Sequence, residues 1–355
     1  MRVGILTSGG DCQALNATMR GLALTLYRNV KDVEIIGFID GYKGLMYEKY
    51  KKMKPKDFYD ILNVGGSILG NSRCPFKRMR IIENGFDKVK AMKNTYKKLE
   101  LDCLVVLGGN GSIKSANMLS QEGLNVIALP KTIDNDAWGT DYTFGYSSAT
   151  AIATRYLDEI KTTAASHSRV FVIEVMGHKV GHICLSAGIA AGADVILLPE
   201  IPYDIKVVAK KVKETLKNEK NYAIIACAEG AISEADALMK KKDYKAKVLA
   251  RNGRSVVYEV ADELSQEIDA EIRVSCIGHA QRGGNPDSYD CEISTRFGVE
   301  GARLIIKKHY GEYVVLQGNH VTHIPLEATA GKLKFVDTEG EIVQSAKLVG
   351  ISFGE

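Results

Sequence analysis

Residues 130–136, Pro-Lys-Thr-Ile-Asp-Asn-Asp, are the part of the sequence with the densest set of chemically useful side chains. They offer a hydroxyl, a cation and two carboxylates, on Thr132, Lys131, Asp134 and Asp136. Phosphoryl transfer needs a base for the accepting hydroxyl and cations for the transferring group. In an extended loop, residues two apart point the same way, so Asp134 and Asp136 could face one site, one as base and one toward Mg²⁺. Such residues are equally typical of turns and caps, so spacing alone leaves catalysis and turn formation as even alternatives.

Four arginines lie beside predicted strand ends or glycine-rich loops: Arg73, Arg169, Arg273 and Arg282, with His279 three residues before the last. The planar guanidinium group makes two parallel hydrogen bonds to a phosphate, which suits it to anionic ligands. A single arginine is more often a surface ion-pair partner. Four in these positions favour an anionic substrate.

Glycines follow several predicted strands, at Gly9-Gly10, Gly108-Gly109, Gly177 and Gly283-Gly284. Glycine there lets backbone N–H groups approach phosphate oxygens, often at the start of a helix. The spacing fits neither the dinucleotide fingerprint nor the Walker P-loop. Several converging loops indicate a ligand with more than one phosphate.

Short apolar runs that alternate with helical patterns predict these positions. The predicted strands are Arg2–Thr7, Val33–Ile39, Leu101–Leu107, Asn125–Leu129, Arg169–Val175, Val195–Leu198, Tyr222–Cys227, Arg273–Ile277 and Tyr313–Leu316. The predicted helices are Leu15–Tyr27, Phe86–Leu99, Ile205–Lys217, Val256–Ile268 and Cys291–Lys308, with a further helical stretch at Ser147–Ile160. Strands that are apolar throughout are typical of parallel sheets covered on both faces, so we expect an α/β fold with mainly parallel, Rossmann-like sheets. Ligands bind outside the carboxyl ends of such strands.

Composition sets the broad class of the protein. A chain of 355 residues with 45% hydrophobic and 25% charged residues predicts a globular protein of two domains or one large α/β unit. A net charge of +4 and seven scattered cysteines favour a cytoplasmic protein with reduced thiols, and neither nucleic acid nor a membrane is expected as a partner.

Taken in order, the motifs resemble the phosphofructokinase family from residue 3 to about residue 306. The resemblance rests on Leu6–Asp11, Gly41–Leu45, Gly108–Ser112, Pro130–Asp136, Val175–Gly177, Gly192–Asp194 with Pro199-Glu200, and Gly278–Gly284. It implies a kinase of glycolysis that phosphorylates fructose 6-phosphate at its 1-hydroxyl with ATP and Mg²⁺. It also implies two similar α/β domains with the active site in the cleft between them.

The resemblance assigns a role to individual residues. Asp134 matches the base, with Thr132 and Lys131 beside it as catalytic residues. Donor-binding positions match Gly10, Tyr42, Arg73, Gly109, Asn110, Gly111 and Ser112. Metal positions match Asp136 and Asn110. Sugar-phosphate positions match Thr132, Asp134, Met176, Gly177, His178, Glu229, His279 and Arg282, together with Arg169 and Arg273 from a neighbouring subunit.

The resemblance also implies a domain organisation and an oligomer. Residues 1–145 with about 281–330 form the donor-binding domain, and residues 146–280 with about 331–355 the sugar-phosphate-binding domain. Because two arginines come from a neighbour, an active homodimer or homotetramer with shared sites is expected.

Two positions bear on the phosphoryl donor. Gly111 is typical of ATP users, since a side chain there would crowd the nucleoside end of the donor, and pyrophosphate users carry aspartate. Lys131 is typical of pyrophosphate users. The pair resembles a mixed-substrate branch whose ATP-dependent members keep the lysine. Steric exclusion is close to absolute whereas a lysine can move aside, so Gly111 favours ATP, with pyrophosphate as the alternative.

Two departures from the family pattern stand out. Asn110 replaces a usual metal-binding aspartate, and His178 replaces an arginine. They motivate a third hypothesis, a catalytically weak sugar-phosphate-binding regulatory subunit. The intact Asp134, Thr132 and four arginines argue against it, because a pure binder has no need of the base.

Overall fold

The computed structural model describes residues 1–218, 220–329 and 331–355. Its strands are β1 (Arg2–Ser8), β2 (Glu34–Phe38), β3 (Tyr50–Met53), β4 (Cys103–Gly108), β5 (Val126–Pro130), β6 (Val170–Val175), β7 (Val195–Leu197), β8 (Ala223–Ala228), β9 (Ile272–Cys276), β10 (Glu312–Gln317) and β11 (His320–Pro325). Its α-helices are α1 (Leu15–Asn29), α2 (Tyr42–Met46), α3 (Lys88–Lys98), α4 (Asn110–Gln121), α5 (Tyr146–His167), α6 (His182–Ala190), α7 (Ile205–Asn218), α8 (Glu234–Ala237), α9 (Lys241–Ala250), α10 (Val256–Ser265), α11 (Ser288–Ile306) and α12 (Glu341–Leu348).

The chain divides into two compact units, and the first consists of Met1–Ser148 and Arg282–Lys334. Its sheet has seven strands in the order β11-β10-β5-β4-β1-β2-β3. The five strands from β10 to β2 run parallel, while β3 and β11 pair antiparallel at the two edges. The carboxyl ends of the parallel strands therefore lie at one edge of the sheet, where the loops that follow them collect.

Helices cover both faces of this sheet. On one face, α1 packs against α11, and their backbones approach closely at two glycines. A Cβ atom at Gly298 would lie 2.3 Å from the carbonyl oxygen of Thr18, and one at Gly21 would lie 2.6 Å from that of Thr295. On the other face, apolar side chains of β1, β4 and β5 share a buried cluster with residues of α2, α3 and α4. Burial on both faces explains why these strands are apolar throughout.

The second unit consists of Ala149–Gln281 and Phe335–Glu355. Its sheet has four parallel strands in the order β7-β8-β6-β9. Val172 and Ile225 of the sheet pack with Val208 and Val212 of α7 and with Val260 of α10 in one core. The carboxyl ends of β6, β8 and β9 again meet at one edge.

The predicted fold class, α/β with mainly parallel sheets, is confirmed. All nine predicted strands occur, each within two residues of its predicted bounds. The sequence patterns did not predict β3 and β11. Both are antiparallel edge strands with largely exposed or half-exposed side chains, so they lack a continuous apolar run.

None of the helices in the described parts of the chain has both the length and the apolar character that crossing a membrane requires.

The approach of α1 and α11 predicts that Gly298→Ala destabilises the protein. The new methyl group would meet backbone atoms of α1, which cannot rotate away, so we expect the free energy of unfolding to fall by about 2 kcal/mol. Urea denaturation measures it. Gly111→Ala is the matched control, because a Cβ there meets no atom within 4 Å. Equal stability of the two variants would contradict the packing argument.

Candidate functional site

Three loops meet at the carboxyl edge of the first sheet. The strands β1, β4 and β5 are neighbours, and Ser8 aligns with Gly108, which aligns with Pro130. The loop that begins at Gly9, the start of α4 and the segment that begins at Lys131 therefore emerge side by side. The backbone N–H of Lys131 donates to the carbonyl of Gly108 at 3.1 Å, which ties two of them together.

Lys131 is the buried cation of this edge. Its side chain is 2% exposed, and its ammonium group donates to the carbonyl oxygen of Gly10. Burial lowers the pKa of Lys131 to about 8, although the nearby Asp134 favours the charged form. A Cβ atom at Gly9 would lie 3.3 Å from the ammonium nitrogen. The glycine therefore makes room for the lysine at the centre of the loop cluster.

Arg282 packs against the other glycine of the same loop. Its Nη1 donates to the carbonyl of Asp11 at 2.9 Å, and a Cβ at Gly10 would lie 2.8 Å from that nitrogen. Its Nε atom is buried and has no partner among the described residues. Two of the predicted site residues, Gly10 and Arg282, are thus in direct contact.

The amino end of α4 faces the same edge. Its N-cap, Gly109, supplies no side chain to the first N–H groups of the helix. Such an end attracts anions through its free N–H groups and the helix dipole. A Cβ at Gly111 would meet nothing within 4 Å, so the fold itself does not require a glycine there.

Tyr42 contacts this helix end, and Arg73 lies next to a residue that is bonded to the Gly9 loop. Tyr42 is fully buried, and its hydroxyl donates to the carbonyl of Ser112 at 2.7 Å. This buried hydrogen bond holds the first turn of α4 in place. Arg73 is exposed and follows Ser72, whose carbonyl accepts a hydrogen bond from Gly9 at 3.1 Å. The side chain of Asn110 donates to the carbonyl of Lys332 at 3.1 Å.

The segment after Lys131 is a turn rather than the extended loop that the spacing argument assumed. Thr132 Oγ1 accepts from the N–H of Asp134 at 3.1 Å, and Asn135 has a φ of +54°. The Asn135 side chain accepts from the N–H of Thr143 at 3.1 Å. The segment therefore forms a turn, and that turn places the carboxylates of Asp134 and Asp136 near each other.

Asp136 is 7% exposed, and burial followed by the nearby Asp134 raises its pKa to about 6. Its Oδ1 atom is buried and has no hydrogen-bond partner in the described structure. An orphaned carboxylate oxygen beside a second carboxylate fits a hard divalent cation such as Mg²⁺, which prefers oxygen ligands and would relieve their repulsion.

Asp290 supports this turn from the neighbouring helix α11, and sequence reasoning missed it. Its buried carboxylate accepts from the Tyr142 hydroxyl at 3.0 Å, from the N–H of Gly145 at 2.9 Å, and from both the N–H and the hydroxyl of Ser148. Thr143, within the segment so held, donates to the carbonyl of Thr132 at 2.7 Å. An aspartate immediately before a predicted helix is typical of a helix cap, so it carries no sequence signal of this role.

A second group of predicted residues gathers at the carboxyl edge of the second sheet. Met176, Gly177 and His178 follow β6, Glu229 follows β8, and His279 follows β9. Glu229 Oε1 accepts from the N–H of Gly177 at 3.3 Å and also from that of His178, which has a φ of +54°. One carboxylate thus orders the turn that carries two of the predicted sugar-phosphate residues.

Arg169 and Arg273 lie at the opposite edge of that sheet. Arg169 immediately precedes β6, and Arg273 is the second residue of β9. Both pair with Glu271, at 2.8 Å in the case of Arg169, and the hydrogen bond from Arg169 lowers the pKa of that carboxyl. The length of β6 separates them from Met176 by about 20 Å. The predicted sugar-phosphate residues of the second unit therefore form two groups.

Parallel α/β sheets with an open helix end, a buried lysine and paired carboxylates define a protein suited to phosphorylated small molecules. The family model described as Phosphofructokinase matches residues 2–305. The chain belongs to the phosphofructokinase family.

Similar proteins include an ATP-dependent 6-phosphofructokinase of Spirochaeta thermophila, which is 46% identical over 99% of this chain and 97% of that protein. ATP-dependent 6-phosphofructokinase 3 of Bacteroides thetaiotaomicron is 41% identical, with both chains fully covered. The solved structure of phosphofructokinase from Saccharomyces cerevisiae has a TM-score of 0.80 at 27% identity. It matches 93% of this chain, which spans 45% of the yeast chain.

The buried ammonium group predicts that Lys131→Met is more stable than the wild type at pH 7. The pKa of Lys131 is lower in the folded protein than the usual 10.5, so its charge destabilises the fold below pH 8. We expect a gain on the order of 2 kcal/mol, which shrinks between about pH 8 and pH 10.5 as the lysine loses its proton in both states.

Thermal unfolding across this pH range measures the effect. Lys97→Met, at an exposed lysine of α3, is the control for the removal of a lysine outside the site. If Lys131→Met were less stable at pH 7, the hydrogen bond to Gly10 would outweigh the cost of burial and the prediction would be wrong.

Proposed function

We propose that this chain is an ATP-dependent 6-phosphofructokinase, which transfers the terminal phosphoryl group of ATP to the 1-hydroxyl of fructose 6-phosphate. The observation that carries the proposal is the cluster of Lys131, Thr132, Asp134 and Asp136 beside the open amino end of α4. The relative from Spirochaeta thermophila, which is named an ATP-dependent 6-phosphofructokinase, supports the proposal because its similarity to this chain extends over nearly its whole length.

Each part of the reaction has a candidate group in the first unit. Asp134 accepts the proton of the sugar's 1-hydroxyl group. The hydroxyl oxygen then forms a bond to the terminal phosphorus of ATP, and the bond between that phosphorus and the leaving ADP breaks. The N–H groups at the start of α4 hold the donor phosphates. Lys131 offsets the charge of the transferring group. Thr132 fixes the backbone of Asp134 through its hydroxyl.

Mg²⁺ would be held by Asp136, and Asn110 is a second candidate ligand. The ion, when bound, neutralises phosphate charge. The chain's own contribution is to keep the Asp136 carboxylate buried and oriented, with its backbone carbonyl accepting from the N–H of Lys334 at 2.9 Å.

In this proposal, sugar-phosphate contacts come from Met176, Gly177, His178, Glu229, His279 and Arg282. Because Glu229 Oε1 orders the turn at Gly177 and His178, its Oε2 is the atom assigned to a sugar hydroxyl.

Arg169 and Arg273 support a shared site in a homo-oligomer. They lie across the sheet from Met176, about 20 Å away, too far to contact a ligand held there within one subunit. We propose that they reach the sugar phosphate of a neighbouring subunit, as the resemblance implied. Dimer and tetramer both satisfy this arrangement.

Pyrophosphate remains the second candidate donor because Lys131 is buried beside Gly10, where a cation would hold a departing phosphate. ATP is favoured because the space around Gly111 is open and the glycine serves no packing purpose.

The base assignment predicts that Asp134→Asn loses catalysis but keeps binding. We expect kcat to fall about a thousandfold, the loss typical of a general base, with the KM for fructose 6-phosphate within threefold. A coupled assay of fructose 1,6-bisphosphate formation with ATP and Mg²⁺ measures both. Wild-type-like kcat in the variant would exclude Asp134 as base.

The donor assignment predicts that Gly111→Asp impairs ATP use selectively. The added carboxylate projects into space free of protein atoms, so the fold persists while the nucleotide phosphates are repelled. We expect the KM for ATP to rise more than about tenfold, the effect of one buried like-charge contact. The same assay with pyrophosphate is the comparison arm, and turnover of the wild type with pyrophosphate but not with ATP would reverse the assignment.

A further inference from the structure

A short segment near the end of the first unit joins two parts of the candidate site. Residues 332–334, which we call the strap, lie against both the donor loop and the turn that carries Asp136. The side chain of Asn110 donates to the carbonyl of Lys332 at 3.1 Å, across 222 positions of sequence. Leu333 forms an antiparallel bridge with Ala137, and the N–H of Lys334 donates to the carbonyl of Asp136 at 2.9 Å.

The side chains of the strap extend these contacts. The ammonium group of Lys334 is partly buried and donates to the carbonyls of Thr140 and Asp141 at 2.9 and 2.8 Å. The ammonium group of Lys332 lies 4.1 Å from the ring centre of Trp138, the only tryptophan of the chain. Lys334 therefore holds the far end of residues 136–141, and Lys332 covers the exposed indole in their middle.

We propose that the strap is a positioning element of the phosphoryl-donor site and that Asn110 is its anchor. The inference rests on the proposed function. Asn110 occupies the position where an aspartate is usual in the family, and its amide group is what the strap needs there. An amide nitrogen donates to the Lys332 carbonyl, whereas a carboxylate would set two acceptors against each other. The asparagine is therefore matched to the strap and is not merely a weakened metal ligand.

The consequence for donor binding is geometric. The first N–H groups of α4 and the carboxylate of Asp136 belong to loops that follow different strands, β4 and β5. A donor that contacts both, directly or through Mg²⁺, needs them at a fixed separation. The strap bonds to one residue of each, so it sets that separation before the donor arrives.

Three variants and a control test this inference. Asn110→Asp installs the residue that is usual in the family, and Lys334→Met removes the ammonium group while keeping most of the side chain's length. Lys334→Arg restores a donor for the two carbonyls. Lys97→Met, on the exposed face of α3, removes a lysine outside the site.

The first readout is the kinetic constants. We expect both Asn110→Asp and Lys334→Met to raise the KM for ATP about tenfold, because each variant loses a hydrogen bond that holds the strap. The KM for fructose 6-phosphate should stay within twofold of the wild type. Lys334→Arg should recover most of the loss, and Lys97→Met should match the wild type. If Asn110→Asp improves the KM for ATP, as the return of a metal ligand would, the inference is overturned.

The second readout is Trp138 emission, which does not depend on turnover. We expect ATP with Mg²⁺ to change the emission of the wild type, with a midpoint that rises about tenfold in Lys334→Met and Asn110→Asp. If neither ATP nor pyrophosphate at millimolar concentration changes the Trp138 emission of the wild type, the proposed role of the strap is contradicted. A purely structural role would lower the melting temperature of Lys334→Met and leave the midpoint unchanged, which also overturns it. If the wild type transfers no phosphoryl group to fructose 6-phosphate, the proposed function fails while the emission titration still decides on the strap.

Discussion

The candidate site is built around the buried ammonium group of Lys131. The ammonium group of Lys131 is bonded to the carbonyl of Gly10 and surrounded by the loops that follow β1, β4 and β5. Burying a charge costs free energy, which appears as a lowered pKa of the lysine. An anionic ligand with several phosphates would offset that cost. The buried charge therefore lowers the stability of the ligand-free protein. Such a cost is typical of sites that are preorganised for a charged transition state.

The carboxylates of Asp134 and Asp136 are also held in an unfavourable electrostatic environment. Asp136 is buried beside Asp134 and has a raised pKa, so both signs of charge are held where water would otherwise solvate them. The surrounding polypeptide keeps them in place through hydrogen bonds. Asp290 holds the segment from Tyr142 to Ser148, and the N–H of Lys334 in the strap donates to the carbonyl of Asp136. A turn with so much unfavourable electrostatics persists because its backbone is fixed by elements from distant parts of the chain.

The second unit distributes its charges differently. At the carboxyl edge of its sheet, Glu229 accepts hydrogen bonds from the backbone of Gly177 and His178, and His178 stands in place of an arginine. The two strong cations, Arg169 and Arg273, are at the amino edge with Glu271 between them. The proposed sharing of sites between subunits would bring these two guanidinium groups to the sugar-phosphate residues of a neighbour.

Local sequence was sufficient for the nine strands of the two parallel cores, because burial on both faces leaves an unbroken apolar run. It was also sufficient to locate the glycine loops and residues 130–136, since the carboxyl ends of parallel strands must share an edge. The antiparallel edge strands escaped it because their exposed faces carry polar residues. The sequence by itself thus determined the α/β architecture and which residues can do chemistry. Only the tertiary structure decided that Lys131 is buried and that Asp290 supports the turn. It also decided that Arg169 and Arg273 lie apart from Met176, and that Asn110 bonds to Lys332. Each of these features depends on contacts between residues far apart in the chain.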